Sequence, residues 1–344
     1  MAKLAFDTHK RTSTSGHLNP LTGELEKETI PTTFEALREL LGRYTEPVIV
    51  YVEACREGPR FARWAQSLGA EVHLLDPAKI KPIARVMQSK TDKHDARLMA
   101  LLTLADGLLN LEVYLAPGDV TQNRSLSRGR NVLRKISTML RNVLRIILHL
   151  NDVETGVTDL CGKRAREQWD SWVAQLPPRT ALVARIFFDL LGQVEQSIGT
   201  LDAEMSKQAK RDPVVKALQG VHGIGRMIAF GIAAEIGDIS RFRNPKALIC
   251  FAGLAPMSND SDEYHGPRHL SNRCNKRLRC LVVQAAQSAA RCRKPSRARD
   301  AYYRVKQNHD PTTASIAAAR EIITDVYYIW RRTDAAQVLG SVPT

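Results

Sequence analysis

Strand and helix signals alternate along the first hundred or so residues and then cease; from Thr121 onward the apolar residues recur only with helical period. Such a chain folds as an α/β domain followed by helical ones. Leu4-Ala5-Phe6 is a short apolar run ending at Asp7, and Gly16–Ile30 reads as a hairpin turning at Asn19-Pro20-Leu21-Thr22-Gly23. Thr32 and Glu35 have the spacing of a capping box ahead of Phe34, Leu37, Leu40 and Leu41, which predicts an amphipathic helix. The β-branched run Pro47–Val52 predicts a buried strand closing at Glu53, and Pro59 opens a helix that ends near Gly69. Val72–Leu75 gives a fifth strand; Pro77–Met87 and Lys93–Ala105 give further helices.

The order β-β-β-α-β-α-β-α is that of a mixed sheet with helical crossovers, as in RNase H-like domains, and by itself fits several α/β folds. The acids sharpen this reading. Asp7 ends the first strand, Glu53 ends the fourth, and Asp92 and Asp95, three apart, share one face of a helix. Carboxylates gathered in this way suit two Mg²⁺ or Mn²⁺ ions clamping the attacking and leaving oxygens of a phosphoryl transfer. Taken singly, each acid reads more readily as a solvated surface group than as a ligand.

Beyond Thr121, Leu133, Ile136, Leu140, Leu144 and Ile147 form an apolar stripe, while Arg130, Arg134, Arg141 and Arg145 recur on another face, expected to contact nucleic acid, with no acid between Val120 and Leu150. Leu182, Ile186, Leu190, Val194 and Ile198 follow at four-residue spacing, so two long helices are expected as an antiparallel arm or coiled coil. The segment around Pro177-Pro178 reads as a loop. From Asp212 to Arg332 a separate, mostly helical unit is expected, with a tail lacking periodicity after it. The expected divisions are 1–113, 114–211, 212–332 and the tail 333–344.

The 344 residues carry 50 Lys+Arg against 36 Asp+Glu, a net charge of +14, which calls for an anionic partner such as nucleic acid. The run Tyr264–Arg299 holds Arg268, Arg273, Lys276, Arg277 and Arg279 among its cations and not one acid, where an ordinary solvated face would mix signs. Gly223 and Gly225, just ahead of a helix, resemble a helix-hairpin-helix turn that lets backbone N–H groups approach a phosphate; a plain tight turn fits the same residues. Ser271 lies inside the basic run, where it reads as a helix cap, a phosphate contact or a nucleophile. Six cysteines without a C-x-x-C pair read as reduced thiols of a cytoplasmic protein. No apolar stretch approaches the ~20 residues of a membrane span, and no signal-peptide pattern follows Met1.

Several of these segments resemble one family. Asp7, Glu53-Ala54 and Lys90-Thr91-Asp92-Lys93-His94-Asp95-Ala96 are similar to the DEDD signature of the IS-110 and IS-1111 insertion-sequence transposases, related to the Piv/MooV DNA invertases. Gly220–Gly225, Phe251-Ala252-Gly253-Leu254-Ala255-Pro256, Leu270-Ser271-Asn272-Arg273 and Leu278-Arg279 resemble the second domain of the same family, in the same order. The chain departs from the pattern at Cys55-Arg56-Glu57-Gly58 and at Ser271-Asn272-Arg273-Cys274.

The resemblance implies a RuvC-like N-terminal domain, a coiled-coil arm used in homo-oligomerisation and a C-terminal domain bearing a serine nucleophile. It assigns the Mg²⁺ (or Mn²⁺) ligands to Asp7, Glu53, Asp92 and Asp95 and the nucleophile to Ser271, with Ser258 and Ser261 as the other candidates. It also implies recombination of donor and target DNA guided by a structured non-coding (bridge) RNA. A junction-resolvase-type endonuclease using the same acids with water, a Piv-type invertase and a non-catalytic nucleic-acid binder are the competing expectations.

Overall fold

The computed structural model describes residues 1–18, 22, 24–86, 111–257, 260–261, 264–265 and 269–340. These form two compact units, Met1–Ala116 and Pro117–Thr344.

In the first unit, strands β1 (Ala2–Thr8), β2 (Thr12–Leu18), β3 (Leu25–Pro31), β4 (Val48–Glu53) and β5 (Glu71–Leu75) make one mixed sheet in the order β3-β2-β1-β4-β5. The β1–β2 and β2–β3 pairs are antiparallel; β1–β4 and β4–β5 are parallel, the latter joined through helix α2 (Gly58–Ser67). Side-chain alternation divides the strands between two cores. Leu4, Phe6, Val50 and Val52 pack with α1 (Phe34–Leu41) and α2, while Ala5, Ile49, Tyr51 and Leu75 pack with Ile80 of α3 (Pro77–Val86). Because both faces are covered, β4 reads as an unbroken apolar run rather than an alternating one. The cap of α1 is Thr33, whose hydroxyl accepts from Ala36 N, and not the expected Thr32. Thr32 instead donates to the carbonyl of His9 and bonds Ser13, which ties the β1–β2 turn to the end of β3.

In the second unit, α4 (Gly118–His149) and α6 (Pro178–Ala209) lie side by side. Arg130 meets Asp202 and Arg141 meets Glu195, so the two run antiparallel. The stretch between them, expected as a loop, contains α5 (Lys163–Val173), whose Ala165, Trp169, Trp172 and Val173 seal the hairpin core with Leu140, Leu144, Leu191 and Ile198. Trp169 stacks on Phe188 with ring centroids 3.9 Å apart.

The other core of this unit gathers α7 (Pro213–Leu218), α8 (Arg226–Ile236), α9 (Pro245–Phe251), α10 (Lys276–Arg291), α11 (Arg297–Lys306) and α12 (Pro311–Gly340). Short strands β6 (Pro256–Met257) and β9 (His269–Leu270) pair with each other, as do β7 (Asp260–Ser261) and β8 (Tyr264–His265). Helix α12 continues to Gly340, through the residues expected as an irregular tail. The alanine-rich Thr333-Asp334-Ala335-Ala336 sustains a helix without a periodic apolar face. Among the described residues no helix is long and apolar enough to cross a membrane.

Candidate active site

The register of the parallel pair β1–β4 sets Phe6 beside Val52, so Asp7 and Glu53 are the next neighbours, at adjacent strand ends and on the same face of the sheet. That face is the one on which α3 packs. The Asp7 carboxylate lies 3.2 Å from His9 Nε2. Cys55, where the chain departs from the family pattern, bonds the Thr8 hydroxyl at 3.1 Å and accepts from Gly58 N, which fastens the end of β1 to the start of α2. Asp92 and Asp95 lie outside the described residues. Two oxygen-donor carboxylates of the expected four are thus set side by side, a donor type that fits a hard divalent cation. Among the described residues no group of three or more His, Cys, Asp or Glu is placed to hold a metal ion.

Ser271 follows β9 in a turn closed by its own hydroxyl, which accepts from Arg273 N at 3.1 Å and lies 3.3 Å from the carbonyl of Arg273. Arg279, one turn into α10, holds that loop. Its guanidinium donates to the carbonyls of Ser271 and Ala252 and reaches Cys274 Sγ at 2.8 Å. The Phe251–Pro256 segment makes room for it, because Gly253 has φ +67 and a Cβ there would overlap the Arg279 guanidinium and Cys274 Sγ. Of the two serines considered beside Ser271, Ser258 and likewise Arg268 lie outside the described residues, and Ser261 is in β7.

Asn275 caps α10 through Arg277 N and Leu278 N, and its own N–H donates to the carbonyl of Phe251. Its side-chain amide donates at 2.9 Å to Glu235, a carboxylate only 1% exposed. Both Glu235 oxygens also accept from Arg128 at 2.7 Å. Burial pushes the Glu235 carboxyl up, but the hydrogen bonds from Arg128 and Asn275 outweigh it and hold the group below the ordinary carboxylate range. Sequence patterning does not single out Glu235; an acid inside the apolar run Met227–Ile236 is the available signal.

The basic residues divide by their partners. The α4 arginines are not the unbalanced stripe expected, since the balancing acids arrive from α6: Arg130 pairs with Asp202, Arg134 with Glu195 and Asp202, and Arg141 with Glu195. Arg145 donates to the carbonyl of Thr158. Arg130 and Arg134 nonetheless line one cleft of about 270 Å³ with Arg277 of α10, over Met205 and Leu281. Arg279 is engaged within the protein, as described. Arg273, Lys276, Arg277, Arg291, Arg293 and Lys294, on α10 and the segments flanking it, make no ion pair with another described residue. Gly223, at φ +93, is pressed against α10, where a Cβ would overlap the Ala285 carbonyl and come within 2.9 Å of Ala289 N. Gly225 heads α8 with open space around it.

With this geometry in place, the comparisons with known proteins are direct. A family profile for DEDD transposases of the IS110 type matches residues 4–153, and one described as Transposase IS116/IS110/IS902 family matches residues 215–303. The chain is 27% identical over 250 residues to the transposase for insertion sequence element IS1111A of Coxiella burnetii, covering 70% of this chain and 66% of that relative. It is 27% identical over 258 residues to a probable family 20 transposase of Pseudomonas aeruginosa, covering 73% of each. The matched stretch is thus just under two thirds of the first relative's length. The first profile ends just past α4 and the second begins inside α7. The chain belongs to the IS110/IS1111 family of DEDD transposases.

Proposed function

We propose that this transposase cuts and rejoins DNA by a metal-dependent reaction in which Asp7, Glu53, Asp92 and Asp95 hold Mg²⁺ or Mn²⁺ and Ser271 is the nucleophile. The observation that carries the reading is the side-by-side placement of Asp7 and Glu53 at neighbouring strand ends, inside the stretch matched by the DEDD profile. Divalent ions held there would withdraw charge from the phosphoryl oxygens under attack. Ser271 Oγ gives up its proton and forms a bond to phosphorus, the bridging oxygen of the broken strand leaves and takes up a proton, and one phosphodiester replaces another. Arg279 and Asn275 act as positioning residues, since they fix the backbone on either side of the Ser271 turn.

Donor and target DNA and a structured guide RNA are the partners in this reading. Support for a polyanion comes from the cations along α10 that have no ion pair among the described residues; the guide RNA rests on the family resemblance. A homo-oligomer joined through the α4–α6 hairpin as a coiled-coil arm is supported by apolar side chains left outside it. Val132, Met139 and Ile146 are exposed at seven-residue spacing on α4, and Leu182, Ile186 and Leu190 at four-residue spacing on α6.

A junction-resolvase type of endonuclease is favoured by one observation, that the Ser271 hydroxyl is occupied within its own turn. Trapping the reaction and mapping adducts by denaturing gel and peptide analysis decides between them. A protein–DNA adduct at Ser271 that vanishes in Ser271→Ala supports the serine mechanism; free ends with no adduct, and cleavage retained in Ser271→Ala, support water as the nucleophile.

A further inference from the structure

Helices α10, α11 and α12 enclose a second cleft, about 390 Å³ in volume, that none of the chemistry above uses. Two tyrosines from α11, Tyr302 and Tyr303, stand in it edge to face with ring centroids 5.3 Å apart. The Tyr303 hydroxyl donates to the carbonyl of Ala290, which fixes that ring, yet Tyr303 is 45% exposed. The ring is thus both oriented and open to solvent on one side.

The cations are arranged to match. Arg291 and Lys306 are on the wall of the cleft, and no Asp or Glu lines it. Lys306 Nζ sits 5.7 Å from the Tyr302 ring centroid, and Arg299 Cζ lies 5.1 Å from that of Tyr303. Asp310, which precedes the floor residue Pro311, is occupied in capping its own helix through Thr312 N and Thr313 N. Ring faces flanked by cations are what an unpaired nucleotide requires: the base stacks on a ring and its phosphate takes the displaced ammonium or guanidinium. A base inside a duplex is stacked on its neighbours and offers only its edge, so it cannot lay its face on a tyrosine of this cleft. The volume lies within the ~300–1,000 Å³ of sites that hold small organic groups.

We infer that the Tyr302–Tyr303 cleft is a binding site for an unpaired nucleotide of DNA or RNA, stacked on tyrosine with its phosphate on Arg291 and Lys306. The inference rests on the reading that this chain acts on nucleic acid, and adds to it a place where single strands are told from duplexes. It is separate from the Ser271 turn, which lies at the opposite end of α10 from Arg291.

The test is the affinity of the full chain for labelled oligo-dT, oligo-U and a blunt mixed-sequence duplex of the same length, by fluorescence anisotropy. The variants are Tyr302→Leu with Tyr303→Leu, the milder Tyr302→Phe with Tyr303→Phe, and Lys306→Gln. The leucine pair keeps the apolar volume without a π face, and thermal melting identifies any loss of fold. We expect the leucine pair to lose about tenfold or more in single-strand affinity, with duplex affinity changed less than about twofold and the phenylalanine pair near wild type. The oligonucleotide that suffers the larger loss identifies DNA or RNA as the source of the nucleotide. Equal losses on single strand and duplex, or no loss in a folded leucine variant, would overturn the inference and leave the nucleic-acid reading standing. A wild-type chain that binds none of the three would instead sink the nucleic-acid reading itself.

Discussion

Glu235 and Asn275, 40 residues apart in sequence, are joined by a 2.9 Å hydrogen bond that fastens the start of the basic helix α10 to the apolar helix α8. The same carboxylate holds Arg128 of α4, so one buried acid ties together three helices of the second unit.

Replacing Glu235 with Gln should therefore destabilise the second unit by about 1–3 kcal/mol, read as a lower urea midpoint. The pH dependence has a definite sign. The folded carboxyl lies below its ordinary value, so its contribution is complete above about pH 4.3 and is lost as pH falls through the folded value. The gap between wild type and Glu235→Gln should narrow on acidification from neutral pH; a constant gap would show that the charge is not what stabilises the junction.

Removal of one carboxylate from the proposed metal set should cost at least ~10²-fold in strand cleavage while nucleic-acid binding stays nearly intact. Asp7→Asn and Asp92→Ala are the informative variants, and filter binding alongside a cleavage assay separates the two effects. Wild-type cleavage by Asp92→Ala would remove that residue from the set.

Two glycines two residues apart should respond oppositely to the same change. At Gly223 a methyl group meets the backbone of α10 in a positive-φ conformation, and Ala there should cost on the order of 3 kcal/mol or abolish folding. At Gly225 the space is open, and Ala should change thermal stability by no more than about 1 kcal/mol. If Gly225→Ala alone weakens nucleic-acid binding with stability preserved, the backbone at the head of α8 is a phosphate contact.

Placing Glu at Val132, Met139 and Ile146 together should convert an oligomer to a monomer by light scattering, with helical circular dichroism unchanged. A wild-type chain that is strictly monomeric with nucleic acid present would count against the arm as an interface.

Neutralising Arg273, Lys276, Arg291, Arg293 and Lys294 should flatten the plot of log K against log salt by ~0.7–0.9 for each phosphate that the chain no longer neutralises. The same change at Arg130 and Arg141 should show mainly as reduced stability, since their partners are Asp202 and Glu195.

The α/β half is legible in the sequence because its signals are local: β-branched runs, turn residues, and acids at strand ends. The helical half is legible in kind but not in pairing. In α6, the row Leu182, Ile186, Leu190, Val194, Ile198 reads as one face, yet Val194 and Ile198 are buried and Leu182, Ile186 and Leu190 are exposed. Four residues turn a helix by about 400°, so a strict four-residue row drifts off its face; the buried set Ala184, Leu191, Val194 and Ile198 keeps a heptad-like spacing instead. The arginines of α4 look unbalanced because their acids lie more than 50 residues away, a separation that no local window spans. Glu235 is hidden for the same reason, its partners being 107 and 40 residues distant.

Gly253 and Gly223 both press against α10, at Arg279 near its start and at Ala285 and Ala289 further along. Every change in the first or second base of a glycine codon yields a residue with a Cβ or a stop. For a gene that persists by making copies of itself, these two codons are points at which a single replication error silences a copy without touching an acid or the serine. Decayed copies of such an element are expected to read as intact at the proposed metal ligands and nucleophile and to be broken where one backbone leans on another.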